Sequence, residues 1–79
     1  MSKGWWHDDG DGKSFTLWSS EEEYERYSAE AYGQVDYMLN MVSGRRGWHA
    51  RAAISEDYPS IGWFKNAELA MQAVNKVLG

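Results

Sequence analysis

Not one of the 79 residues is cysteine, and that absence constrains the fold more than any motif in the chain. A domain of this length buries only roughly 60% of the surface that its unfolded chain exposes. Small domains commonly make up the deficit with disulfides or thiolate-bound metal, and both routes are closed here. What remains is large side chains. The chain has five Trp, five Tyr and two Phe, and each buries roughly 150–250 Å² when packed. The expectation is one aromatic-rich core in a single domain spanning residues 1–79.

Hydrophobic periodicity divides the chain into hairpins and helices. Residues 5–18 read as a hairpin: Trp5-Trp6-His7, then the turn-forming run Asp8-Asp9-Gly10-Asp11-Gly12, then the alternating segment Ser14-Phe15-Thr16-Leu17-Trp18. Ser20 and Glu23 form a capping box with acids in the first turn. From there Tyr24, Tyr27, Ala31, Val35, Met38 and Val42 recur at steps of three and four, predicting a helix over residues 21–43 that stops at Gly44. Residues 47–64 read as a second hairpin. Trp48, Ala50, Ala52 and Ile54 face the core, His49, Arg51 and Ala53 face out, and Gly62 marks a bulge or close approach in the return strand Ile61–Phe64. Asn66 caps a second helix over residues 67–78, with Ala70, Ala73, Val74 and Val77 inward. The expected fold class is α+β, in the order ββαββα: a four-stranded, mostly antiparallel sheet with two helices packed on one face.

Charge is uneven. The net charge is −4. Residues 1–43 carry nine acids and three bases, whereas residues 44–79 carry five bases and three acids. The opening residues have no apolar run ahead of Asp8, so no secretory leader is expected. No segment nears the roughly 18 apolar residues of a membrane span. With cysteine absent, a cytoplasmic location without membrane association is the expectation.

No residue pattern marks catalysis, a cofactor or a metal. Asp8-Asp9-Gly10-Asp11-Gly12 has the look of a calcium loop, but such a loop ends in a bidentate carboxylate twelve positions in. Counting from Asp8 or Asp9, that position is Ser19 or Ser20. His7 and His49 are too isolated to specify zinc. Gly10-Asp11-Gly12-Lys13 lacks the spacing of a phosphate loop and sits among acids. The chain is expected not to be an enzyme.

Binding residues are more evident. Arg45, Arg46, Trp48, His49 and Arg51 form a cationic–aromatic segment. Arginine suits carboxylate and phosphate groups through its planar fork, and with aromatics it is common at protein interfaces. Glu22, Glu25, Glu30 and Asp36 lie off the apolar stripe and present an acidic surface for a basic partner, including a site that ordinarily holds nucleic acid. Trp18 alternates away from Phe15 and Leu17. With helices on one face only, the opposite sheet face would expose Trp18, Thr16, His49, Arg51, Phe64 and one of Trp5 and Trp6.

Size, acidity, aromatic density and lack of cysteine resemble those of small accessory proteins encoded by bacteriophages and mobile elements, many of which inhibit a host or defence complex, anti-CRISPR proteins among them. The likeness implies a non-enzymatic protein-interaction module that binds a larger host protein or nucleoprotein complex. Two alternatives stand beside it. One is nucleic-acid binding through the arginine segment and the aromatic sheet face, which the net negative charge opposes. The other is a homodimer whose sheet faces pack together.

Overall fold

Two-residue alternation, more than helical spacing, sets the architecture. The computed structural model describes residues 4–79. Met1, Ser2 and Lys3, part of the stretch on which the leader expectation rests and, for Lys3, of the charge count, lie outside them. Five strands, β1 (Trp5–Asp8), β2 (Ser14–Trp18), β3 (Ala31–Leu39), β4 (Arg46–Ala52) and β5 (Ser60–Phe64), form one sheet in the order β1-β2-β3-β4-β5. Every neighbouring pair is antiparallel. A short helix α1 (Glu21–Glu25) joins β2 to β3, and α2 (Ala67–Leu78) ends the chain.

The fold is α+β, as expected, but its order is ββαβββα, its sheet has five strands rather than four, and the long helix over residues 21–43 does not form. Two features decide the difference. The capping box forms, with the Glu23 N–H donating to Ser20 Oγ at 3.0 Å. The helix then closes within two turns: Ser28 N–H donates to the Glu23 carbonyl at 2.9 Å and Tyr27 N–H to the Tyr24 carbonyl at 3.1 Å. That is a Schellman termination with Tyr27, at φ 58°, in the left-handed position that glycine ordinarily fills. Beyond it, Gly33, Val35 and Tyr37 alternate with Gln34, Asp36 and Met38. This period of two puts one apolar face under a helix and leaves one polar face open. The step of four from Ala31 to Val35 that suggested a helix fits a period of two equally well, whereas the step of three from Val35 to Met38 crosses from one sheet face to the other.

α2 covers one face. Cross-strand register aligns Trp6, Leu17, Gly33 and Ala52 in one row and Phe15, Val35, Ala50 and Gly62 in the next. Leu17, Val35, Ala50 and Ala52 are fully buried there beside Ala70 and Val74 of α2. Trp6, Tyr32, Trp48, Ile61, Phe64, Met71 and Leu78 pack around them. Asn66 caps α2, its side-chain oxygen accepting from Leu69 N–H at 2.9 Å. Of the inward residues expected on α2, Ala70 and Val74 are buried, whereas Val77 is 46% exposed and Leu78 packs in its place. Ile54, expected inside, lies past the end of β4 and is 53% exposed. The expected irregularity at Gly62 is present: register slips between Ala50 and Arg51, and Gly62 has φ 143°. The slip separates Ile61, packed on the core, from Trp63, which turns to the other face beside His49.

The two helices do not share a face. Tyr24 of α1 stacks on Trp5, His7 and Trp18, which belong to the face opposite α2.

Candidate interaction surface on the open sheet face

Alternation places Trp5, His7, Ser14, Thr16, Trp18, Gln34, Asp36, His49 and Arg51 on the face that α2 leaves uncovered. Of the aromatic residues expected there, Trp5 and Trp18 are present. Trp6 and Phe64 are on the helix side, against the core. Trp63, absent from that expectation, is on the open face, 38% exposed, its ring 4.6 Å from that of His49. Only the bulge in β5 brings it there, and a lone glycine does not fix where such a slip falls.

The face has three zones. At the α1 end is an aromatic cluster: Tyr24 lies 5.5 Å from Trp5, 4.7 Å from His7 and 5.3 Å from Trp18 between ring centroids. Its hydroxyl is 3.3 Å from His7 Nε2.

The middle is a hydrogen-bonded polar strip. Arg51 Nη2 donates to Gln34 Oε1 at 2.8 Å and lies 3.6 Å from Asp36 Oδ2. Ser14 Oγ donates to Asp36 Oδ1 at 2.7 Å, and Thr16 Oγ1 to Asp9 Oδ2 at 2.9 Å. Thr16 is buried beneath these neighbours although no helix covers it.

At the β5 edge, His49 Nε2 and Ser60 Oγ are 2.7 Å apart. Partial burial foremost, then the Arg51 charge, pushes the His49 pKa below the ordinary histidine value, with Asp36 opposing. Arg51 also sits 5.9 Å from the Tyr58 ring centroid, where burial raises the phenol's pKa. A histidine bonded to a serine hydroxyl is the beginning of a nucleophilic pair. Ser60 is solvent-exposed, however, and the Asp36 carboxylate opposite His49 is held by Ser14 and Arg51.

The candidate residues from the sequence fall into separate places. Trp18, Glu22, Glu25 and Glu30 are at the α1 end; Asp36 and Arg51 are in the middle of the open face and His49 is toward its β5 edge. Arg45 and Arg46 are exposed at the opposite end, where β3 turns into β4. They border a cleft of about 170 Å³ with Asn40, Ser43, Gly47, Trp63 and Phe64. Trp48 is on the helix side, 5.4 Å from Tyr37 and 6.0 Å from Phe15. The arginine segment is therefore not one patch, because strand alternation sends Trp48 to the opposite side from His49 and Arg51. Between Ala31 and Leu39 the nine residues of β3 separate the acidic and arginine ends by about 26 Å at the usual rise.

The acidic turn between β1 and β2 uses its carboxylates internally. Asp8 Oδ1 accepts from Gly10 N–H at 2.9 Å and Gly12 N–H at 3.1 Å, which lowers its pKa, and Asp11 accepts from Lys13 N–H at 2.9 Å. Among the described residues, no group of three or more His, Asp or Glu side chains is placed to hold a metal ion. Among the same residues, no helix is long and apolar enough to cross a membrane.

At the α1 end, two adjoining clefts share Tyr24 and Tyr27. One, of about 270 Å³, is lined by Trp18, Tyr24, Tyr27 and Ala29. The other, of about 440 Å³, is lined by Tyr24, Glu25 and Tyr27. Tyr27, 99% exposed, is the outer wall of both. No expectation from the sequence singled out Tyr27, because the long helix placed it on a buried stripe. Comparison with protein-family models, with curated proteins and with solved structures gives no match to this chain.

Proposed function

We propose that this chain is a non-enzymatic protein-interaction module whose open sheet face docks a basic surface of a larger protein. The observation that carries this reading is an uncovered face bearing Trp5, Trp18, His49 and Trp63, bordered at one end by the acids of α1. Half-exposed aromatics supply contact area at low entropic cost and dominate interface energetics. The strip of Gln34, Asp36 and Arg51 lies between them, its side chains hydrogen-bonded to one another although Arg51 Nε is buried without a partner. Acids at the border steer a cationic partner and reject nucleic acid. Such a surface suits a basic groove that otherwise holds nucleic acid, so inhibition of a host or defence nucleoprotein by occupancy of that groove is the form of activity we infer.

The nucleic-acid alternative draws less support. Arg51, the cation on the open face, is engaged by Gln34 and Asp36, and Arg45 and Arg46 are at the far hairpin. Dimerisation through the open face is read by sedimentation at two concentrations.

The test is capture from a host lysate by tagged protein, with three variants run in parallel. Trp63→Ser and Glu25→Lys are expected to abolish capture of a specific protein, and Arg45→Ala with Arg46→Ala to retain it. Capture lost only with the arginine pair, or a salt-sensitive gel shift with single-stranded DNA, would overturn the reading.

A further inference from the structure

The paired clefts at the α1 end deepen this reading, and the role assigned to them rests on it. Three aromatic side chains converge there: Trp18 from the end of β2, Tyr24 from within α1, and Tyr27 from the residue that terminates it. Trp18 and Tyr24 form a continuous bent wall, ring centroids 5.3 Å apart and planes inclined by 46°. Tyr27 is fully exposed, and Glu25 lines the second cleft, which shares Tyr24 and Tyr27 with the one that Trp18 lines.

Two features argue that the clefts have an occupant. Tyr27 holds a left-handed backbone that costs a non-glycine residue stability, and at 99% exposure its side chain gains no packing within the chain in return. Glycine in that position would end the helix equally well. The surroundings are also of one sign. Glu21, Glu22, Glu23 and Glu25 belong to α1 and Glu30 follows it, against Arg26, which is paired with Glu22 at 2.8 Å.

Aromatic faces carry negative electrostatic potential and attract cations, most strongly where water is partly excluded. A carboxylate on the rim adds to that attraction. A planar guanidinium stacks best on a flat aromatic surface, whereas a wall bent by 46° suits a compact, rounded head group. We propose that the clefts formed by Trp18, Tyr24, Tyr27 and Glu25 seat the ammonium group of a lysine side chain from the partner protein. The aliphatic stem of that lysine lies along Tyr27, and its charge sits against the Trp18–Tyr24 wall and Glu25.

The test uses the isolated, isotope-labelled protein and three capped tripeptides, Gly-Lys-Gly, Gly-Arg-Gly and Gly-norleucine-Gly, followed by amide and indole chemical shifts. The lysine peptide is expected to move the Trp18 indole N–H and the Tyr27 and Ala29 amides, and to bind at least about fivefold more tightly than the uncharged norleucine peptide. Tyr27→Ala and Glu25→Gln each reduce that affinity about threefold or more, with the remaining spectrum unchanged because both side chains are exposed. Equal binding of lysine and norleucine peptides, tighter binding of the arginine peptide, shifts centred on Trp63 and Arg51, or no shift at millimolar peptide would each overturn the proposal. If the peptides fail while lysate capture persists and still depends on Trp63, the cleft proposal alone falls. If capture fails as well, both do.

Discussion

Gly33 lies directly under Val74: a Cβ placed on Gly33 would be 2.5 Å from Val74 Cγ1 and 3.2 Å from the Arg51 carbonyl oxygen. The glycine is what lets α2 settle on β3, so the seat of the helix is set from the sheet side. Gly33→Ala must push α2 outward or bend β3, with an expected loss of roughly 1–3 kcal/mol from overpacking. Val74→Ala leaves a void and costs about 2 kcal/mol. The double variant should lose clearly less than the two single losses together, since the alanine methyl enters the space that valine vacates. Urea unfolding of the four proteins measures this, and strict additivity would show that the two residues do not compete for one volume.

Tyr27 gives a prediction of opposite sign. Its left-handed backbone costs roughly 1–2 kcal/mol in an L-residue, and its exposed side chain packs against little. Tyr27→Gly should therefore raise the unfolding free energy by about 1 kcal/mol, the strain relieved exceeding the entropy glycine adds to the unfolded chain. Tyr58, at φ 51°, is the control. It is half-buried beside Arg51, so Tyr58→Gly gives up packing and should not stabilise. Thermal unfolding of both variants decides the matter.

Much of this fold is written locally. The turn at Asp8–Gly12, the Ser20 and Asn66 caps and the alternation of Trp48, Ala50 and Ala52 each depend on neighbours in sequence, and each is legible, whereas Gly62 signals an irregularity but not where the register slips. The segment after Tyr27 was not, for a physical reason. Its helix end carries tyrosine where glycine would have announced the stop, and Val35 and Leu39 fit four-residue spacing as well as alternation. What makes residues 31–39 a strand is pairing on both sides, with β2 and with β4, which no local rule contains. The same miss hid the candidate site. With Tyr24 and Tyr27 assigned to a buried stripe, the aromatic clefts could not be seen, whereas Trp18, Glu25, His49 and Arg51 were identifiable from alternation and charge alone.

Arg51 contributes to the fold mainly through its hydrogen bond to Gln34 at 2.8 Å and less through the 3.6 Å approach to Asp36, since its side chain is 39% exposed. Arg51→Met is expected to cost roughly 1–2 kcal/mol, because Gln34 and Asp36 both lose a donor. Asp36→Asn, which still accepts from Ser14 Oγ, should cost less than about 1 kcal/mol. Raising salt should narrow the Asp36→Asn effect and leave most of the Arg51→Met effect intact. A reversal of that order in denaturant titrations would mean that the ion pair dominates.

His49 makes stability depend on pH in one direction. In the folded chain its pKa lies below the ordinary histidine value, chiefly because the ring is partly buried beside Trp63 and secondly because the Arg51 cation faces it; Asp36 across the strand offsets part of this. Ser60, a hydroxyl that donates or accepts, can bond either form of the ring. In the unfolded chain the ring regains a pKa of about 6.5. Between the lowered folded value and about 6.5, the unfolded chain therefore holds more protons than the folded one, and stability rises with pH across that window. The contribution is complete above about pH 6.5 and is lost as the pH falls toward the folded value. Melting temperatures measured from about pH 7.5 to about pH 5 should fall on the acid side, and His49→Gln, which cannot titrate, should fall less over the same interval. If His49→Gln tracks the parent protein throughout, the acid loss belongs to other groups, and the environment assigned to His49 is wrong.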